Sequence, residues 1–302
     1  MIEIPATFRA MPRWWSDGTD WLDTLPELVA TQCARWQLTP DGDVRHGSNA
    51  LVVRVRRGDE RLALRMSPPG DDVTTEAAAL RFWDGRGTVR LVDVDRERRA
   101  QLLEWVTPGR SLEQLPLATT APVIGGVLRR LAVEAPAHAS STGDIIVAEA
   151  SGWTRRWSAL GRPGVEPLLT AAIEAAEAVR EPATPWLAVN ADLHFGQILS
   201  AEREPWLVVD PVLLRGDVGY DLGRLLWSRL DELADDGQVR AYLAAVVEAA
   251  ELDPGRARQL VVVRAMSYLL WGLERGLTED PPRCLRLLEI FGGREDGYSP
   301  ET

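Results

Sequence analysis

The spacing of hydrophobic positions changes twice along the first part of the chain. Residues 21–36 carry apolar side chains at helical spacing, which predicts an amphipathic helix. The pattern then alternates, and it predicts strands at 50–55 and 61–66 that the polar turn 57–60 joins as a hairpin. Residues 74–83 return to helical spacing behind a threonine pair that can cap a helix.

A second change of pattern follows two more predicted strands, 89–94 and 101–106. Beyond Pro108-Gly109 nearly every segment has helical spacing, except for short strands near Asp192 and Asp210. The helical candidates are residues 118–133, 166–180, 220–233, 238–250, 254–275 and 282–291. The sequence therefore predicts an α+β fold: a small, mostly antiparallel sheet with one inserted helix, followed by a large helical part.

Composition narrows the class of protein. The 302 residues, 45% of them hydrophobic and 26% charged, suffice for two lobes with their own cores. No apolar stretch is long enough to span a bilayer, and the first residues lack the basic flank and apolar core of a signal peptide. Cys33 and Cys284 lie far apart in helical segments and are interpreted as buried, reduced thiols. We expect a cytoplasmic protein, as a monomer or a weak dimer.

The net charge of the chain indicates which class of molecule it binds. A net charge of −11 argues against a nucleic-acid partner and fits a cationic or neutral small substrate, although acidity also serves solubility alone. All 34 basic residues are arginine. An arginine therefore stands wherever the chemistry would otherwise use a lysine.

The segment from Asn190 to Gln197, followed by an apolar run that ends at Asp210, carries the clearest chemical signal. It places a carboxylate at Asp192, an amide five positions later and a second carboxylate at a strand end. Protein kinases space their catalytic Asp, a metal-binding Asn and a metal-binding Asp in this way. We interpret Asp192 as the catalytic base, and Gln197 and Asp210 as Mg²⁺ ligands. The alternatives are a turn aspartate and a glutamine that only bonds the loop.

The predicted sheet supplies candidates for binding a nucleotide. Arg65 lies on the second hairpin strand, where a kinase carries its phosphate-binding lysine, and Glu76 on the next helix is the natural partner. The alternative is a solvated arginine. Gly47, Ser48 and Asn49, before the first predicted strand, stand where a phosphate-covering loop belongs, but a single glycine is a weak signal.

Four further residues have predicted roles. The Glu104 carbonyl and the Val106 amide precede the change of pattern at Pro108 and are candidates for pairing with the purine edge. Asp217 either faces a cationic substrate or serves a turn. Asp221, at the start of a helix, is expected to cap amides and steady the catalytic loop as structural support.

These features predict a protein-kinase-like, bilobal fold. Residues 1–106 form its N-terminal nucleotide-binding lobe, with an N-terminal helix and the sheet. Residues 107–302 form a helical lobe with the catalytic loop and the substrate site.

The chain also resembles the aminoglycoside/hydroxyurea antibiotic resistance kinase family in motifs along most of its length. The matching motifs are Pro5…Phe8…Trp21-Leu22…Leu25-Pro26…Trp36, Leu103-Glu104…Pro108-Gly109-Arg110-Ser111-Leu112, Asp192-Leu193-His194 and Asp210-Pro211…Gly216-Asp217…Tyr220-Asp221-Leu222. The resemblance implies a kinase-like fold, ATP or GTP as phosphate donor, magnesium and a substrate hydroxyl. It also implies that Asp192 is the base and Asp210 the metal-binding acid.

Three departures from the family pattern lie at the predicted site. Asn190-Ala191 replaces the usual His-Gly, Gln197 replaces Asn, and Arg65 replaces Lys. The main hypothesis is a small-molecule O-phosphotransferase acting on a streptomycin-like antibiotic. Two alternatives remain open: a kinase for a sugar, amino sugar or other metabolite, and a catalytically impaired pseudokinase that binds nucleotide.

Overall fold

The computed structural model describes residues 2–14, 19–47, 49–107, 110–181 and 186–293. The chain divides into two compact units. The first comprises Met1–Arg110 and Leu199–Asp210, and the second comprises Ser111–Ile198 and Pro211–Thr302.

The first unit contains a five-stranded antiparallel sheet in the order β1-β2-β3-β5-β4. Its elements are the helices α1 (Ala6–Arg9), α2 (Asp20–Trp36) and α3 (Val73–Trp83), and the strands β1 (Thr39–His46), β2 (Leu51–Arg57), β3 (Glu60–Met66), β4 (Leu91–Asp95) and β5 (Ala100–Glu104). The two predicted helices and four predicted strands are confirmed, with shifts of a few residues at their ends. Asp72, rather than a threonine, caps α3 by accepting from the amides of Thr74 and Thr75.

Strand β1 was not predicted, and its composition explains why. It contains a proline, a glycine and two aspartates, and most of its side chains are exposed. Its pairing with β2 is irregular between Pro40 and Val44. Proline, exposed charge and bulges are typical of edge strands, so the alternating apolar signal of an inner strand is absent here.

The core of the first unit forms where α2 covers the sheet. Leu22, Leu25 and Val29 of the helix are buried in one cluster with Leu51 and Leu64 of the strands. These positions are the apolar stripe of the helix and the inward face of the sheet. Burial of that area removes it from water and stabilises the unit.

A segment from later in the chain completes the first unit. Residues 199–210, which the prediction placed in the helical lobe, include the end of β7 (Ile198–Ser200) and all of β8 (Trp206–Val208), and these two strands pair. The Val89 amide donates to the Val208 carbonyl at 3.0 Å, and Val208 donates to the Gly87 carbonyl at 2.9 Å. These bonds fix the segment that ends in Asp210.

The second unit is mainly helical. Its elements are α4 (Ala121–Leu131), α5 (Thr142–Ala159), α6 (Glu166–Val179), α7 (Leu222–Ser228), α8 (Asp236–Ala250), α9 (Pro254–Glu274) and α10 (Asp280–Gly292), the strands β6 (Leu187–Asn190) and β9 (Leu213–Gly216), and short 3₁₀ turns. Strands β6 and β9 pair antiparallel. The predicted helix 220–233 was too long, because the structure has a 3₁₀ turn, α7 and another 3₁₀ turn there.

Helix α5 was not predicted from the sequence. Its apolar residues are interrupted by Gly143, Ser151 and Gly152, which weaken a helical pattern. Its Ser141 cap accepts from the amides of Gly143 and Asp144.

The start of α5 lies directly against the end of β9. A Cβ at Gly216 would lie 1.9 Å from the Thr142 hydroxyl, so no side chain fits there. Gly216 also has a φ of +151°, a value that favours glycine. Both observations make glycine the residue that this close approach requires.

Both cysteines are free and buried, as predicted. Burial raises the pKa of Cys33 and of Cys284, so both thiols stay protonated at neutral pH. No helix among the described residues is long and apolar enough to cross a membrane.

Candidate functional site

Arg65 lies at the centre of a buried charged cluster in the first unit. Its Nη1 lies 2.8 Å from Glu76 Oε2 on α3, and its Nε lies 3.2 Å from Asp210 Oδ1. Only 9% of Arg65 is exposed. The predicted contact with Glu76 is therefore present, and Arg65 is not a solvated strand arginine. Its role toward a nucleotide stays a prediction.

Neutral partners complete the environment of this guanidinium. Nη1 also donates to Ser67 Oγ at 2.7 Å and to Gln101 Oε1 at 3.0 Å. Burial by itself lowers the pKa of Arg65, but Asp210 and Glu76 outweigh burial and the net pKa is raised. Burial raises the pKa of Glu76, and Arg65 only partly opposes that effect. Arg65 and Glu76 thus have little water around them, whereas the Asp210 side chain is 42% exposed.

Asp210 has an unusual backbone conformation. It follows β8 by two residues and has a φ of 51°, in the left-handed region that aspartate enters more readily than most other side chains. Strained conformations of this kind concentrate at functional sites. Here the conformation accompanies the contact between the Asp210 carboxylate and Arg65.

The predicted phosphate-covering loop is the turn between β1 and β2. The Gly47 amide donates to the Ala50 carbonyl at 3.0 Å and closes the turn. The prediction placed this loop before the first strand, and that was wrong because it missed β1. Gly47 and Asn49 are exposed, whereas Ser48 lies outside the described residues.

The predicted purine-edge segment follows β5. The Glu104 carboxylate accepts from Arg203 Nε and Nη2, both at 2.9 Å, and from the Arg90 amide at 3.0 Å. The Val106 amide has no hydrogen-bond partner among the described residues. An unpaired amide at this position is compatible with the predicted contact to a nucleotide base.

In the second unit, the Asp192 carboxylate is held on both of its oxygens. Gln197 Nε2 donates to Asp192 Oδ2 at 3.3 Å, and a guanidinium nitrogen of Arg224 contacts Oδ1. The Asp192 side chain is 37% exposed. The sequence analysis assigned Asp192 and Gln197 to the same site. It did not identify Arg224.

Gln197 provides a test of whether the site fits a metal ion. Its side chain is buried, its amide nitrogen is used by Asp192, and its Oε1 has no hydrogen-bond partner among the described residues. A buried carbonyl oxygen without a donor is costly unless something else occupies it. An oxygen of this kind fits a hard cation such as Mg²⁺, which prefers carbonyl and carboxylate ligands.

The loop that carries Asp192 is anchored by the buried acid Asp221. The Leu193 amide donates to Asp221 Oδ1 at 3.3 Å. Burial raises the pKa of Asp221 to about 8, while the Leu193 amide and Arg264 oppose that shift. The predicted support of the loop is present. The predicted capping is not, since this side chain makes no cap hydrogen bond to its own helix.

Asn190 and Arg264 fix the other side of the loop. Asn190 Oδ1 accepts from the Val212 amide at 3.0 Å and from the Asp192 amide at 3.5 Å. Arg264 donates to the Ala191 carbonyl at 3.4 Å. Neither role was predicted, because no sequence pattern shows which long-range backbone groups a side chain will meet.

Asp217, predicted as a substrate contact or a turn residue, lies in a buried ion pair. Its Oδ2 accepts from Arg256 Nη2 at 2.7 Å, and the residue is buried. This arrangement favours a structural role for Asp217.

Taken separately, the two units contain the parts of a phosphotransferase of the protein-kinase-like class. The first has a small antiparallel sheet with a buried strand arginine paired to an acid on the neighbouring helix. The second has a helical fold whose loop carries an exposed carboxylate and an amide five residues later. Kinases use elements of this kind to position and stabilise a phosphoryl group during transfer.

Solved structures confirm the fold. The aminoglycoside phosphotransferase APH(4)-Ia matches with a TM-score of 0.65 and 16% identity, over 89% of this chain and 100% of that one. A thermostable mutant of that enzyme has been crystallised with ADP and hygromycin B. At this identity the match establishes the protein-kinase-like fold only.

Sequence comparison establishes the family. The model of the aminoglycoside/hydroxyurea antibiotic resistance kinase family matches residues 35–276. Streptomycin 6-kinase of Streptomyces griseus is 37% identical over 91% of this chain and 92% of its own length. Hydroxyurea phosphotransferase of Kitasatospora aureofaciens is 33% identical over 97% of this chain and 87% of its own length. The chain belongs to the aminoglycoside/hydroxyurea antibiotic resistance kinase family.

Proposed function

We propose that the protein transfers the γ-phosphate of ATP or GTP to a hydroxyl of a streptomycin-like aminoglycoside. The observation that carries the proposal is the nearly full-length similarity to a streptomycin 6-kinase, with both predicted site carboxylates present in this chain. The net charge of −11 also suits a cationic acceptor. Because nucleoside triphosphates are a cytoplasmic pool, we place the reaction in the cytoplasm.

In this proposal Asp192 orients the acceptor hydroxyl and takes its proton. The hydroxyl oxygen forms a bond to the γ-phosphorus while the bond from that phosphorus to the nucleotide oxygen breaks. Proton transfer comes late because the transition state is loose, so orientation matters more than strong basicity. Gln197, which donates to the Asp192 carboxylate, contributes to that orientation.

Magnesium fits the donor set of this chain. Gln197 Oε1, which is buried without a partner, and the Asp210 carboxylate are the oxygen ligands that we assign to it. When bound, magnesium neutralises charge on the nucleotide phosphates. We expect Asp210→Asn to raise the Mg²⁺ concentration that gives the half-maximal rate, because one ligand charge is lost.

The nucleotide assignment rests on the first unit. Arg65 is fixed by Glu76 and takes the place of the usual lysine toward the phosphates. In the exposed turn at Gly47 and Asn49, the Asn49 amide is assigned to the phosphates, because the Gly47 amide already donates to the Ala50 carbonyl. Ser48 between them lies outside the described residues.

We assign binding of the nucleotide's purine base to the segment from Glu104 to Val106. The Val106 amide at its end is unpaired among the described residues. A purine edge needs such a backbone donor and a nearby carbonyl acceptor.

One specific observation favours a second acceptor. The hydroxyurea phosphotransferase of Kitasatospora aureofaciens aligns with 97% of this chain. Hydroxyurea is small and neutral, so it would not use the acidic character of the protein. We therefore rank it second.

The test is a nucleotide-consumption assay with Mg²⁺ and either ATP or GTP. The acceptor panel contains streptomycin, hydroxyurea, hygromycin B and several amino sugars, with mass spectrometry of the products. We expect phosphorylated streptomycin, and no product from the matched Asp192→Ala protein. Turnover on amino sugars alone would replace the proposal with a metabolite kinase. Nucleotide binding without any product would point to the pseudokinase.

A further inference from the structure

We propose that Arg224 is a positioning residue for phosphoryl transfer, which holds the Asp192 carboxylate in its reactive orientation. The inference rests on the proposed function, because it needs Asp192 to be the base. Its basis is the contact between the Arg224 guanidinium and Asp192 Oδ1.

The local sequence explains how Arg224 reaches the base. Arg224 lies three residues after Asp221, the acid that binds the Leu193 amide. Residues three apart on a helix share a face. Asp221, at the N-cap position of α7, therefore anchors the loop, and Arg224, in the first turn of that helix, contacts the neighbouring residue Asp192.

Asp192 is the acid that the Arg224 guanidinium contacts. The Arg224 side chain is 29% exposed, and Asp192 is its one ionic partner among the described residues. Burial lowers the pKa of Arg224, but an arginine remains charged throughout the physiological range. Tyr268 and Asp280 lie near enough to favour the charge, while Arg264 opposes it. A partly exposed ion pair contributes little net stability, so stability alone does not explain this arrangement.

The donors divide the carboxylate oxygens between them. Arg224 takes Oδ1, and Gln197 Nε2 takes Oδ2 at 3.3 Å. An ionised carboxylate has about four lone-pair sites, so each oxygen keeps one for an acceptor hydroxyl. Two donors on different elements prevent rotation of the carboxylate. Fixed orientation is what brings a reacting hydroxyl into line, and a displacement of about 1 Å can cost about 100-fold in rate.

The experiment compares Arg224→Gln, Arg224→Lys and wild type in steady-state kinetics on the acceptor that the panel identifies. We expect Arg224→Gln to lower kcat by about 10- to 100-fold and to leave the acceptor KM within about threefold. Arg224→Lys keeps the charge and one donor, so it should recover at least about threefold of that loss. Arg286→Gln is the matched control, since Arg286 is equally exposed and pairs with Asp236 away from the catalytic loop.

A double-mutant cycle separates positioning from a merely structural role. In an Asp192→Asn background, Arg224→Gln should leave the residual kcat unchanged within about twofold, because Arg224 acts through Asp192. An equal loss in both backgrounds would overturn the inference. If Arg224→Gln does not fold, the same cycle is run with Arg224→Lys, whose smaller loss of kcat should likewise vanish.

The remaining outcomes distinguish the inference from the proposed function. A kcat within about twofold of wild type for Arg224→Gln contradicts the inference alone. A tenfold rise of the acceptor KM at unchanged kcat also contradicts it, and assigns Arg224 to acceptor binding. A wild-type protein that phosphorylates no acceptor contradicts the proposed function and removes the inference with it.

Discussion

The charged cluster around Arg65 and the one around Asp192 are organised in opposite ways. In the first unit, a buried cation lies between two carboxylates, Glu76 and Asp210. In the second unit, an exposed carboxylate lies between two donors, Gln197 and Arg224. In the first cluster, removal of the ionic partner of a buried charge would lower the stability of the protein strongly. The second has a carboxylate that water and a substrate can reach.

This comparison teaches that a functional charge need not be a stabilising one. Removing Arg65 leaves the buried Glu76 carboxylate without a counter-charge, which is strongly destabilising. Removing the charge of Asp192 affects a half-exposed group, whose ion pair is worth little in stability. Mutations in the two clusters should therefore separate stability from activity.

The largest expected effect is on catalysis, from Asp192→Asn. An amide cannot take the proton of the acceptor hydroxyl, so kcat should fall by about 1,000-fold. The free energy of unfolding should change by at most about 1 kcal/mol, since the side chain is exposed. Steady-state kinetics and urea unfolding on the same preparation measure both quantities. A kcat within about threefold of wild type would show that Asp192 is not the base.

The second effect is on stability, from Arg65→Met. We expect the free energy of unfolding to fall by about 3–5 kcal/mol, because a buried ion pair loses one partner. Arg65→Lys keeps the charge but loses part of the hydrogen bonding, and should cost about 1–2 kcal/mol. Arg57→Met, at an exposed arginine of the same sheet, is the control and should cost at most about 0.5 kcal/mol. Equal losses for Arg65→Met and the control would contradict the buried-cluster description.

The third prediction concerns pH and Asp221. Its pKa is raised from 3.8 to about 8, so the folded state holds a proton that the unfolded state has lost between about pH 4 and pH 8. The contribution of Asp221 to stability is thus present at low pH, falls as pH rises through that window, and is constant above it. Asparagine does not titrate.

The measurement is urea unfolding of Asp221→Asn and wild type from pH 5 to pH 8. As pH rises, the free energy of unfolding of the variant should increase relative to that of wild type. If wild type instead became more stable relative to the variant as pH rises, Asp221 would be ionised in the folded protein.

The smallest expected effect tests Asp217. The variant Asp217→Asn weakens the buried pair with Arg256, which also donates to backbone carbonyls, so stability should fall by about 1 kcal/mol. The acceptor KM should stay within about twofold. A large rise of that KM without a loss of stability would restore the substrate contact that the sequence suggested.

Most elements of the first unit followed from local pattern, and the failure to predict β1 has a clear cause. Helix α2 and strands β2 and β3 have strong periodicity because one face of each is buried. Strand β1 has no such face, so its pairing with β2 comes from backbone hydrogen bonds that do not leave an apolar pattern. The place of residues 199–210 in the first unit also depends on a long-range pairing, from Val89 to Val208.

The sequence by itself determined the family, the fold class and the spacing of Asp192, Gln197 and Asp210, because motif spacing and hydrophobic period are local properties. Only the tertiary structure decided the other partners: Arg224 on Asp192, Asp221 on the Leu193 amide, and Asp210 on Arg65. These contacts join residues far apart in the chain. Their distances follow from how helices and strands pack, and no local pattern records that packing.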